Sequence, residues 1–174
     1  MITNTPLVST PPHWMPGRYM ILRHRIIGLL RRLQVEPSGG VPAIVDALAR
    51  HVGPITVQPH PLVVPGSLAI TVHDPGLGAV IFVQAMTTAD HQAHLLLHEL
   101  AHLILGTTED VTVVLNGPRA LRTGHYGQPE EKDAEFVARL ISTRIDLHCG
   151  AQLPAQGDER AERLAAVLQE RIGW

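Results

Sequence analysis

A chain of 174 residues points to one domain, because domains typically run about 100–150 residues. A net charge of -2 with 45% apolar and 17% charged residues describes a globular chain and argues against both disorder and a strongly basic nucleic-acid binder. Two Trp, two Tyr and two Phe leave few rings for stacking bases, and a lone Cys excludes an internal disulfide.

The start MITNTPLVSTPPHWMPGR places no positive residue before an apolar run, so it does not read as a secretory signal. No uncharged apolar stretch reaches the roughly 18 residues that a membrane span needs, and a cytoplasmic location is the expectation. Pro6, Pro11, Pro12 and Pro16 prevent a helix or a central strand here, so residues 1–18 read as an extended arm, with one domain over 19–174. From Tyr19 onward, Leu22, Ile26, Leu29, Leu30 and Leu33 recur at helical spacing, and Glu-Pro-Ser-Gly-Gly at 36–40 ends the helix. Arg18, Arg23, Arg25, Arg31 and Arg32, with no acid before Glu36, give the first 35 residues a charge of +5. Such a helix ordinarily docks its Leu/Ile face and leaves its charges in water. Val41, Ile44, Val45, Leu48 and Val52 mark a second helix, stopped by Gly53-Pro54.

The period then changes. ITVQ at 55–58, SLAITVH at 67–73 and AVIFVQ at 79–84 are short β-branched runs bounded by Pro and Gly, which predict strands of a small sheet. Thr88 is placed to cap a helix carrying Leu95, Leu96, Leu97, Leu100, Leu103 and Ile104, with its stop near Gly106. Residues 107–128 read as a long loop, with a short strand at 111–115. Pro129 opens a helix running to about Cys149, and Asp158 caps a last one with Ala161, Leu164, Ala165, Leu168 and Ile172 inward.

Histidine is the anomaly: 11 in all, with His91, His94, His98 and His102 within one predicted helix. In LLLHELAHLILG, His98, Glu99 and His102 form H-E-x-x-H. Residues four apart lie one turn apart on one face, so both imidazoles can meet one zinc ion, with bonds of about 2 Å. Glu99 beside them is suited to act as general base and then acid. The flanking apolar residues bury this helix, and buried histidines and a buried carboxylate need partners. His91 lies about 10 Å along the axis from His98, too far to share an ion, so His91 and His94 read as a helix edge.

A catalytic zinc needs a third protein ligand and an open position. Thr108 stands where a metzincin would carry its third His. PEEKDAEFVARLI at 129–141 supplies carboxylates instead: Glu131 shares a helical face with Ala134, Ala138 and Ile141, which selects it as ligand, with Glu130, Asp133, Glu109 and Asp110 as alternatives. Glu135, one turn on, is placed to accept a hydrogen bond from a ligand histidine. His125 or Tyr126 can donate to the oxyanion formed when water attacks a peptide carbonyl, although the same stretch also reads as a Gly-flanked turn. His148-Cys149 has no assigned role.

HELAHLILG, followed 29 residues after His102 by E-K-D-A-E, resembles the gluzincin arrangement. More narrowly, N-terminal helices, a small sheet, this helix and an E-x-x-A-x-x-V-A-x-x-I stretch resemble the ImmA/IrrE family of metallopeptidases over roughly residues 40–145. Val137 stands where that family usually has Phe, and no Leu-Met-Pro follows Ile141. The resemblance implies a zinc-dependent endopeptidase acting on a protein partner, a helix-turn-helix repressor or antitoxin-type regulator, often within a toxin-antitoxin-like pair. The expected fold is α+β, a small, mostly antiparallel sheet packed against helices, zincin-like, with H-E-x-x-H on a buried helix. The alternative function is a zinc-stabilised interaction protein that binds a regulator without cleaving it. Neither direct nucleic-acid contact nor a membrane is expected.

Overall fold

Seven consecutive buried residues, Gly78–Gln84, form the strand around which the other elements are arranged. In the computed structural model, residues 5–61, 69–74, 76–110, 129–145 and 159–172 are described. In chain order the elements are α1 (Arg18–Arg32), α2 (Gly40–Val52), β1 (Ile55–His60), β2 (Ala69–Asp74), β3 (Gly78–Gln84), α3 (Ala89–Leu105), β4 (Glu109–Asp110), α4 (Pro129–Ser142) and α5 (Glu159–Ile172). The fold is α+β. Among the described residues, no helix is long and apolar enough to cross a membrane.

The strand order is β1-β3-β2-β4. β2 and β3 pair antiparallel, as the short connection between them requires, and Asp74 Oδ1 shapes that turn by accepting from the Gly76 and Leu77 N–H groups at 2.8 and 3.0 Å. β1 pairs parallel to β3, and the two-residue β4 pairs parallel to β2. The sheet is therefore mixed, which corrects the mostly antiparallel expectation. The physical reason is that β3 inserts between β1 and β2, so the first two strands in sequence are not neighbours. Pro59 is tolerated in β1 because that strand forms an edge, where a missing N–H leaves no ladder bond unmade.

Alternation along β3 divides the core in two. Ala79, Ile81 and Val83 join a large cluster with Leu22, Ile26, Ile44, Leu48, Leu96, Leu97, Leu100 and Ile104 of α1, α2 and α3. Val80 and Phe82 face the other way, toward Ala161 and Ala165 of α5, with Val72 of β2. The helical periodicities of α1 and α2 fall where the apolar spacing places them, α1 beginning one residue early at Arg18. Leu164 packs against the α5 cluster; the Leu168 and Ile172 side chains, Asp158 and the strand expected at 111–115 lie outside the described residues.

The proline-rich arm is docked on the domain: the Leu7 and Val8 N–H groups both donate to the Ile104 carbonyl, at 2.9 and 3.2 Å, and Val8 is buried in the main core. The helix expected to reach Cys149 ends at Ser142, where the Ser142 and Thr143 hydroxyls donate back to the Arg139 and Leu140 carbonyls and compete with continued helix.

Thr88 caps α3, its hydroxyl accepting from the His91 N–H at 3.3 Å, and Gly106 ends it in the left-handed region at φ 69°. A Cβ on Gly106 would meet the Pro6 backbone at 2.9 and 3.0 Å, so this glycine lets the arm close over the end of α3. Gly106→Ala is expected to lower stability by about 1–3 kcal/mol from the strained φ and the displaced arm, measured by urea unfolding.

Candidate metal centre

α3 lies on the sheet with one side against β2 and β3 and another against α4. Leu96, Leu97, Leu100 and Ile104 anchor it in the core, which fixes the azimuth of the residues between them. His98 and His102 then point together toward α4, with ring centroids 4.9 Å apart and Nε2 atoms 3.1 Å apart. Glu131, in the first turn of α4, completes the group: its Oε2 is 3.2 Å from His98 Nε2 and its Oε1 is 3.5 Å from His102 Nε2. Ala134 and Ala138 on the same face are fully buried, and their small side chains let the two helices approach closely enough for Glu131 to reach.

These three residues can hold a metal ion. Ligand atoms bound tetrahedrally at about 2.0–2.1 Å stand roughly 3.3 Å apart, and the two Nε2 atoms, 3.1 Å apart, are close to that value, while Glu131 meets the histidines through different oxygens, Oε2 at His98 and Oε1 at His102. The outer ring nitrogens point the same way. His102 Nδ1 is 2.7 Å from Thr107 Oγ1, and His98 Nδ1 is 3.5 Å from Glu135 Oε2. With the Nδ1 protons turned to those partners, both Nε2 lone pairs and a carboxylate face one point, an arrangement that repels itself unless a cation or a proton sits there.

Without metal, protons fill that role. Burial opposes protonation of His98, but the hydrogen bond to Glu131 and the charges of Glu99, Glu131 and Glu135 outweigh it and raise the imidazole above its ordinary value. The imidazoles of His102 and His98 beside it hold the Glu131 carboxyl far below the usual carboxylate range, against the opposing effect of burial.

Glu99 takes no part in the triad. It turns toward the sheet and is buried at 8% exposure, and its Oε2 accepts a hydrogen bond of 2.7 Å from Thr71 Oγ1 on β2. Glu135 stands where a partner for a ligand histidine was expected, but its 3.5 Å separation from His98 is an ion-pair distance rather than a hydrogen bond. It also lies 3.4 Å from His94 Nε2, while Arg139 Nε donates to its other oxygen at 2.5 Å. His94 is partly exposed, and His91 bonds to Thr87, so neither joins the triad. Of the alternative third ligands, Asp133 is paired with Arg18 and Glu130 is exposed; the side chains of Glu109 and Asp110 lie outside the described residues, as do His125, Tyr126, His148 and Cys149.

Three residues around the site were not found from sequence. Thr71 and Thr107 carry hydroxyls that any strand or helix-end threonine carries, and their only signals are strand parity for Thr71 and adjacency to Gly106 for Thr107. Arg18, expected in water, is buried against Asp133 at 2.6 Å. No protein-family model, curated protein or solved structure matches the chain.

Metal must displace the proton that His98 holds, so affinity is expected to be full above the raised His98 value and to weaken by about tenfold per pH unit below it. Metal-free stability runs oppositely, since the raised His98 contributes below the unfolded pKa of about 6.5 and loses that contribution as pH rises through the folded value. Chelator competition and urea unfolding between about pH 6 and 8 measure the two trends.

Proposed function

We propose that this chain is a zinc-dependent endopeptidase of the ImmA/IrrE kind, acting in the cytoplasm on a protein partner, a helix-turn-helix repressor or antitoxin-type regulator. The observation that carries this reading is the convergence of His98, His102 and Glu131, whose ligand atoms lie within 4.8 Å of one another, with a further carboxylate, Glu99, adjacent in sequence. Two imidazoles and one carboxylate are a donor set typical of catalytic zinc, with one position open to solvent or substrate.

When bound, zinc supplies Lewis-acid polarisation of a carbonyl and acidifies water to a pKa of about 7. The chain's own residues do the rest. Glu99 is the proton carrier: one oxygen is held by the Thr71 hydroxyl, which leaves the other to take a proton from attacking water and hand it to the leaving amine. Thr71 thereby limits rotation of the carboxylate about its side-chain torsions. Thr107 holds the ring plane of His102 from behind. His125 or Tyr126 belongs to this proposal as the oxyanion donor.

A second reading has its own observation. A buried Glu99 bonded to a strand threonine is also what a purely structural carboxylate shows, which favours a zinc-stabilised protein that binds a regulator without cutting it. Glu99→Gln separates the two. The enzyme reading expects zinc content and unfolding midpoint within error of wild type, with cleavage of a co-expressed regulator, followed by mass spectrometry, reduced about 10²- to 10⁴-fold. Regulator inactivation that survives the substitution, with the regulator intact, establishes the binding role.

A further inference from the structure

His98 and His102 are set relative to each other by a single helix, but Glu131 arrives from α4, so the geometry of the third ligand depends on how α4 is rotated and placed along α3. Ala134 and Ala138 let the helices approach, and the buried Val137 and Ile141 anchor α4 farther along its length, beyond the first turn that carries Glu131. Glu131 itself is a third exposed. Something else must fix the first turn of α4.

We propose that the buried Arg18–Asp133 pair is a positioning device for the metal centre, fixing the rotation of the first turn of α4 and with it the place of Glu131 opposite the two histidines. The inference rests on the metal-binding reading of that triad. Asp133 is two residues from Glu131, 1% exposed, and accepts a hydrogen bond of 2.6 Å from the guanidinium of Arg18, the first residue of α1. The next residue of α1, Tyr19, packs against Phe136, one turn beyond Asp133, with ring centroids 4.8 Å apart and the planes tilted by 44°. The Arg18 guanidinium also lies 4.8 Å from the centre of the Tyr19 ring, so the two α1 side chains brace each other. Adjacent residues of α1 therefore grip positions i and i+3 of α4, which constrains both its rotation and its axial position.

Stability does not account for this pair. Desolvating two charges is costly, and buried ion pairs are often replaceable by apolar side chains without loss of stability. Here the compensation is also incomplete: among the described residues, Arg18 Nε and Asp133 Oδ1 are buried with no hydrogen-bond partner. Fixing register is the best-attested use of such a costly pair. The charged neighbours in the same turn, Glu130 and Lys132, are exposed and exert no comparable hold.

The test uses the full chain and Zn²⁺ alone, with affinity measured by chelator competition at neutral pH and folding by thermal unfolding. Arg18→Met combined with Asp133→Leu replaces the pair by apolar side chains; it is expected to fold with an unfolding midpoint at or above wild type and to bind Zn²⁺ about 10- to 100-fold more weakly. Asp133→Asn keeps an acceptor for Arg18 and is expected to bind within about threefold of wild type. A double variant that fails to fold, or that folds and binds as tightly as wild type, overturns the positioning role. A wild type that binds no better than His98→Ala overturns the metal reading and this inference with it.

Discussion

Two imidazoles one helical turn apart make only part of a candidate metal site, which depends on a carboxylate carried by another helix being held within reach of both. The contact between α3 and α4 meets that requirement. Ala134 and Ala138 remove bulk where the helices touch, and Glu131 one turn earlier on the same face reaches across to Nε2 of each histidine. The rest of the fold bears on that contact: the sheet and the leucines of α3 set the azimuth of the histidines, the N-terminal arm closes over the end of α3, and α1 grips the first turn of α4.

The same packing separates the two acidic roles. Glu131 faces α4's partner histidines and loses its proton readily, because two imidazoles stand beside it. Glu99 points to the sheet, where a single hydroxyl from Thr71 meets it. A helix puts neighbouring residues about 100° apart, so His98 and Glu99 bond to different neighbours although the Glu99 charge still reaches His98, and the sheet surface rather than the helix decides what Glu99 bonds to. Three hydroxyl or carboxylate groups, on Thr71, Thr107 and Glu135, thus stand behind Glu99 and the histidines, two of them at hydrogen-bond distance.

Much of this was legible in the sequence wherever a local rule governs. Leu22, Ile26, Leu29, Leu30 and Leu33 mark a buried face by period alone, Thr88 and Gly106 bound α3 by their capping chemistry, and the register of Glu131 with Ala134 and Ala138 selects the third member of the triad. Relations between distant segments were not legible. Period-two alternation says which face of a strand is buried but not which strand lies beside it or in which direction, so the parallel pairing of β1 with β3 carried no signal. Arg18 and Asp133 are 115 residues apart, and each alone reads as an ordinary surface charge. Proline-rich sequence lacks periodicity, which hid the docking of Val8, and Ser142 and Thr143 ended α4 through backbone bonds that the apolar pattern does not encode.

The coordination sphere itself is the most direct quantity to measure. X-ray absorption at the zinc edge of protein loaded with one equivalent of zinc is expected to show four nitrogen or oxygen neighbours at about 2.0–2.1 Å, two carrying the outer-shell signature of imidazole, and no sulfur. A sulfur neighbour at about 2.3 Å, a third imidazole, or an outer-shell pattern with fewer than two imidazoles would contradict a centre built from His98, His102 and Glu131.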